Sequence, residues 1–332
     1  MKRVVLAVLA VAAVIPAASS AVPRPSEPQH HPRGVSAVPT FVGKVERAIV
    51  GVKVRARADA PSTARLGAER FATGVVFDAR GYAVTVSYAL MDAVRVEVTT
   101  RDQRTLPASV VGIDYATGLG VVKVADQGPF PTALIGHSRD LRNGDVTGTI
   151  GVDEDNDLVW VSGHVQMIRR FAAYWEYMLD RAVFVTPSSP SWGGSAVVDE
   201  RGHVVAIASL RLGEPPYVNL AIPLEKFTDV RDELIAAGRV VSRPPRPWLG
   251  LYTIAVGDAV LIDGFAASGP ARGAGFQKGD RIIRVNGINV RTQEEFYEAL
   301  WRGQAGDVIQ VAVRRKDTVH VIPVRSIDRE RR

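Results

Sequence analysis

Gly74-Val75-Val76-Phe77-Asp78-Ala79-Arg80-Gly81-Tyr82-Ala83-Val84-Thr85-Val86-Ser87-Tyr88 reads as strand, turn, strand. Residues 74–77 and 83–86 are short runs rich in Val, and Asp78-Ala79-Arg80-Gly81 between them is turn punctuation. The same texture extends in both directions. Residues 48–54 carry it before this stretch, and 94–98 and 119–124 carry it after. Residues 158–161, 182–185, 195–198 and 204–208 repeat it further on. Regularly spaced short strands with turn signals predict a barrel or a sandwich. Thirty Gly, 20 Pro and 7% aromatic residues suit that many turns. A chain of 332 residues, 46% hydrophobic and 23% charged, can bury a core and has room for two domains. Cysteine is absent, which excludes disulfides, cysteine nucleophiles, thiolate zinc sites and iron–sulfur clusters. A net charge of +6, small and dispersed, gives a solvated surface and no case for a nucleic-acid partner.

Both flanks of this region are marked. Met1-Lys2-Arg3, an unbroken apolar run over 4–15, Pro16 and the small residues 17–21 read as a secretory signal peptide over 1–21. The apolar run is shorter than the ~20 residues of a spanning helix. Export to a bacterial periplasm or beyond is therefore expected, with an uncleaved N-terminal anchor as the alternative. Pro23, Pro25, Pro28, Pro32 and Pro39 make 22–40 an extended linker, and His30-His31 inside it are read as solvated. A helical stretch after Pro223 places Val230, Leu234 and Ile235 on one face and ends at Gly238. Residues 241–247 form a second, stiff linker. A module of strands around one helix, 293–301, follows over 248–327.

Several pieces in order carry a family resemblance. Gly81-Tyr82-Ala83-Val84-Thr85 resembles the strand leading into the catalytic His of HtrA (DegP-like) periplasmic serine proteases. Val111-Gly112-Ile113-Asp114-Tyr115-Ala116-Thr117 and Leu119-Gly120-Val121-Val122-Lys123 resemble the approach to the catalytic Asp and the exit from it. Ile150-Gly151 with Val161-Ser162-Gly163 resembles the start of the second barrel, and Leu220-Ala221-Ile222-Pro223 the segment before the closing helix. The resemblance implies a mainly β chain: a trypsin-like double β-barrel over 41–240, then a small α+β PDZ domain over 248–327.

Carried over residue by residue, the His, Asp and Ser of the triad fall on Tyr88, Gly118 and Gly193. Gly193 has no atom to acylate, Gly118 has no carboxylate, and a phenol of pKa ~10 is a poor general base at neutral pH. Trp192 stands beside the nucleophile position. Ser188, Ser189, Ser191 and Ser195 are nearby hydroxyls, but His137, His164, His203 and His320 all map away from the site. The catalytic set is therefore read as empty and the chain as a pseudoprotease, with a serine endopeptidase using a non-family constellation as the alternative.

Two further stretches stand out. Asp153-Glu154-Asp155-Asn156-Asp157 opens like a calcium loop, but Leu158 and His164 occupy the positions that need Gly and Glu. It is read as a solvated acidic loop; a metal-binding structural role for it and the His residues is a third reading, and no metal or cofactor is expected. Phe171-Ala172-Ala173-Tyr174-Trp175-Glu176-Tyr177-Met178 lies where the family has its sensor loop. Its aromatics either pack locally on the barrel or form a partner-contact surface.

In the second module, Trp248-Leu249-Gly250-Leu251 resembles the PDZ loop whose amides receive a peptide's C-terminal carboxylate, and Gly279-Asp280-Arg281-Ile282-Ile283-Arg284-Val285-Asn286-Gly287 resembles a PDZ strand with its Asn-Gly turn. Gln293, Tyr297 and Leu300 share one helix face, which the resemblance places along the peptide groove while Phe296 turns to the core. Leu249, Leu251 and Leu300 imply an apolar pocket for the last peptide residue. The expected partners are polypeptides with apolar C-termini or unfolded segments, with an active protease relative as a further partner and a homotrimer as the assembly. The expected role is that of a scaffold, chaperone-like protein or regulatory subunit in protein quality control. A PDZ domain that packs on its own barrel and binds no free peptide is the competing reading.

Overall fold

A computed structural model of the chain describes residues 39–331. The signal peptide and nearly all of the first linker lie outside the described residues. The chain enters as a short helix, Thr40–Val45, whose first residue falls in the stretch read as linker.

The Val-rich runs become strands because β-branched side chains fit a pleated, half-buried surface. In the first barrel these are β1 (Ile49–Ala56), β2 (Glu69–Asp78), β3 (Tyr82–Val86), β4 (Ala93–Thr99), β5 (Thr105–Asp114) and β6 (Leu119–Val124), closed in the order β1-β2-β3-β6-β5-β4. The opening hairpin pairs Val75 with Val84 and Val76 with Ala83. The second barrel holds β7 (Val146–Val152), β8 (Leu158–Ala173), β9 (Tyr177–Thr186), β10 (Ala196–Val198), β11 (Val204–Leu212) and β12 (Val218–Pro223), closed as β10-β11-β12-β9-β8-β7. Closure leaves no sheet edge in either barrel. Buried side chains of both barrels meet in one continuous core that includes Val84, Leu119, Ile150, Ile207 and Ile222.

The helical stretch forms as two pieces, Glu225–Thr228 and Arg231–Ala237, and Gly238 ends the second with φ 72°. The second linker is not free. The Glu233 carboxylate accepts from the amides of Val241 and Ser242, and Arg243 pairs with Asp114 at 2.9 Å, whose side chain is fully buried.

The second module contains β13 (Pro247–Trp248), β14 (Leu251–Val256), β15 (Ala259–Phe265), β16 (Arg281–Val285), β17 (Ile288–Asn289), β18 (Val308–Arg315), β19 (Thr318–Arg325) and β20 (Ile327–Asp328). Its main sheet runs β14-β15-β16-β18-β19, with β17 on β16 and β13 paired to β20. One helix, Gln293–Leu300, is capped by the Thr292 hydroxyl accepting from the Glu295 amide. Phe296, Tyr297 and Leu300 sink into a core separate from that of the barrels. The PDZ strand and its turn appear as β16 followed by Asn286 and Gly287, both at positive φ (47° and 83°), which is the pattern of a type I′ turn.

Candidate functional site

The three positions onto which the resemblance carries a triad, Tyr88, Gly118 and Gly193, lie close together. Tyr88 lies in the turn of helix Ser87–Leu90 that follows β3, and the Ser87 amide donates to the Gly118 carbonyl at 2.8 Å. A Cβ placed on Gly193 would stand 3.1 Å from the Tyr88 hydroxyl. That hydroxyl donates to the Ser209 carbonyl at 3.0 Å, and burial raises the phenol further above its ordinary range. It is spent on structure and keeps its own proton, so no basic form is available. The Trp192 ring lies 6.5 Å from that of Tyr88.

Gly118 is more than a missing carboxylate. It has φ 84°, and a Cβ there would meet the Tyr177 hydroxyl at 2.9 Å and the ring at 3.2 Å. Tyr177, from β9, donates to the Thr117 carbonyl at 2.7 Å and is 6% exposed. A second-barrel phenol therefore stands where a side chain on residue 118 would have to go.

Two of the nearby serine hydroxyls, those of Ser188 and Ser195, are engaged. Ser195 is fully buried and its hydroxyl donates to the Ser191 carbonyl. The Ser189 amide donates to Asn219 at 2.7 Å, and Ser188 accepts from Asn219. His203 sits 3.2 Å from Asp199 at the far end of β10 from residues 193–195. His137 is exposed on a loop, His164 is exposed on β8, and His320 is on β19 in the second module. Among the described residues no cluster of three His, Asp or Glu could hold a metal ion. In the acidic loop the Asp153 carboxylate accepts from the amides of Asp155 and Asp157. Asn156 is not solvated: it is 4% exposed and donates to the Thr100 carbonyl at 3.1 Å, so the loop tip is wedged onto the first barrel.

The second module holds a built carboxylate site. The amides of Leu249 and Leu251 donate to the Glu176 carboxylate at 3.0 and 2.7 Å. Gly250, between them, has φ 76° and a Cβ there would meet Gly269 at 2.5 Å, so only glycine lets this loop close. The Thr253 amide donates to the Tyr174 carbonyl at 2.9 Å. Tyr297 donates to the Ala173 carbonyl at 2.5 Å, accepts from the Glu176 amide at 3.2 Å and contacts the Thr253 hydroxyl at 3.1 Å. Gln293 donates to the Thr253 carbonyl at 2.7 Å. Leu249, Leu251 and Leu300 are fully buried together. The sequence-predicted groove residues thus meet around one short segment, and that segment is the chain's own β8–β9 tip.

The aromatic stretch 171–178 divides: Phe171, Trp175 and Tyr177 pack on the barrel core as the local reading expects, while Ala172 and Met178 pack against the second core and Tyr174 meets Tyr252 edge-on at 5.6 Å. Sequence reasoning missed Glu176. The signal available was a single acid among aromatics at the end of two long strands, where a solvated tip would be polar throughout.

Residues 72–207 match the trypsin-like peptidase domain family, and residues 247–325 match the PDZ domain family. Serine endoprotease DegS of Escherichia coli is 29% identical over 74% of this chain and 73% of its own length. A DegP-like protein of Halomonas elongata, whose name carries the words periplasmic serine endoprotease, is 28% identical over 73% of this chain and 53% of its own length. The chain thus spans little more than half of one relative and about three quarters of the other. The solved HtrA-type protease AlgW with a decapeptide shares the fold at TM-score 0.55 and 21% identity, over 87% of this chain and 98% of that one. No helix among the described residues is long and apolar enough to cross a membrane.

Proposed function

We propose that this chain, a trypsin-like peptidase domain followed by a PDZ domain in the HtrA/DegS-like arrangement, is a catalytically silent binder of polypeptide C-termini. One observation carries the reading. The Leu249 and Leu251 amides converge on a single carboxylate, and the Thr253 amide pairs with a backbone carbonyl two residues before it. A strand laid along β14 and ending in a carboxylate satisfies all three donors. The buried Leu249, Leu251 and Leu300 suit an apolar final side chain. The AlgW structure, solved with a decapeptide, supports polypeptide binding.

The barrels act as scaffold in this reading. Tyr88, Gly118 and Gly193 leave no nucleophile, base or orienting carboxylate at the converged positions, and what remains of a triad enzyme without its triad is only ~10³–10⁴-fold over water. The apolar run 4–15 and the periplasmic naming of the Halomonas relative support an exported protein.

Fluorescence anisotropy with a labelled decapeptide ending in Val-Ala-Leu tests the binding. The free acid is expected to bind about tenfold or more tightly than its C-terminal amide, since losing charge-assisted hydrogen bonds costs ~1.5–3 kcal/mol. Equal binding of the two would overturn the reading.

A further inference from the structure

We propose that the β8–β9 tip is an internal ligand of the peptide groove, and that a polypeptide C-terminus enters by displacing it. The inference rests on the reading of the groove as a C-terminus receptor.

The tip imitates a bound peptide in register. It follows β14, where the Thr253 amide takes the Tyr174 carbonyl. Two residues later, where a ligand chain would stop, Glu176 presents a carboxylate to the loop amides. A side-chain carboxylate thus stands in for a terminal one. From the helix side Tyr297 holds the Ala173 carbonyl at 2.5 Å.

The imitation has defects that a true C-terminus lacks. Glu176 is a non-glycine residue at φ 54°, a conformation that side chains disfavour and that survives only where the surroundings impose it. The residue is 5% exposed, and its carboxylate's hydrogen-bond partners are neutral backbone amides. The chain must also continue past the carboxylate into β9. Against these costs stands the tether, which gives the tip a high effective concentration in the groove. An incoming terminus brings the same carboxylate without the strain and without the continuing chain.

Displacement frees more than the groove. Arg65 of the first barrel donates to the Tyr174 hydroxyl at 3.1 Å, and its guanidinium lies 4.1 Å from the Tyr252 ring centroid. The tip is therefore clasped by the first barrel as well as by the PDZ domain. Leaving the groove breaks this clasp and presents Tyr174 as new aromatic surface.

The test is anisotropy of the free-acid decapeptide against the full chain and its Glu176→Ala variant. Removing the internal carboxylate is expected to tighten the apparent affinity about tenfold, as for a receptor whose competent state is populated a tenth of the time. Unchanged affinity would overturn the internal ligand and leave the C-terminus reading standing. No binding by either protein, both cooperatively folded, would overturn that reading and the inference with it. Amide hydrogen exchange on the unaltered chain covers a variant that fails to fold. Saturating peptide is expected to speed exchange over 173–176 and slow it over 249–253. Protection of 173–176 that persists with peptide bound would overturn the proposal.

Discussion

Burial drives the Glu176 carboxyl up to about 7. The amides of Leu249, Leu251 and Gly250 and the positive charge of Arg329 oppose that shift, and burial outweighs them. From the PDZ helix the buried Tyr297 hydroxyl accepts from the Glu176 backbone amide. An undocked carboxyl titrates near ~4.3. The docked form therefore holds its proton more tightly, and the stability this contributes is complete below about pH 4.5 and lost as pH rises through about 7. Between pH 5 and 8 the unaltered chain is expected to lose about 2 kcal/mol that a Glu176→Gln variant keeps. Denaturant unfolding at the two pH values measures it, and identical pH dependence in both proteins would contradict the assignment. The triad positions make a different point at this scale. Gly193 has open space apart from one hydroxyl at 3.1 Å, whereas Gly118 faces Tyr177 in a backbone that disfavours side chains. On the proposed reading the space of an Asp at residue 118 is taken by Tyr177 of the other barrel, so restoring one residue there does not restore a site.

Strands, turns and the PDZ helix were largely legible as elements because their signals are local. Residues 83–86 became part of β3, Val230 and Leu234 marked the buried face of the helical stretch, and Asn286-Gly287 marked the turn between β16 and β17. Barrel order follows from the family resemblance more than from periodicity, since alternation alone does not distinguish a barrel from a sandwich. The β8–β9 tip was not legible. Its partners lie more than seventy residues away, and a pattern of side chains within one strand carries no address on another domain. The linker 241–247 misled for a related reason: its prolines predict a stiff spacer, but its position is fixed by Arg243 on Asp114. Asp114 also accepts from the Ala116 amide and the Thr117 hydroxyl, so the pair locks the end of β5 to the linker. Arg243→Ala is expected to cost about 2 kcal/mol by leaving a buried carboxylate without its cation. Unfolding midpoints measure it, and a change under about 0.5 kcal/mol would show that the linker is held by other contacts.

Across the whole molecule, two closed barrels and a PDZ domain are joined by the linker, by the β8–β9 tip and by the exposed Arg170–Glu298 pair. The surface pair adds little; the tip carries the buried contacts. The barrels keep the trypsin-like fold while their converged positions hold a bonded phenol and two glycines. On the proposed reading fold and chemistry have separated here, which a family match by itself does not reveal. The most direct measurement is turnover of an unfolded protein substrate by the purified full chain, read together with labelling by a fluorophosphonate probe for activated serine. The account predicts neither turnover nor labelling. Turnover that survives purification and disappears in Ser195→Ala or Ser191→Ala would contradict it.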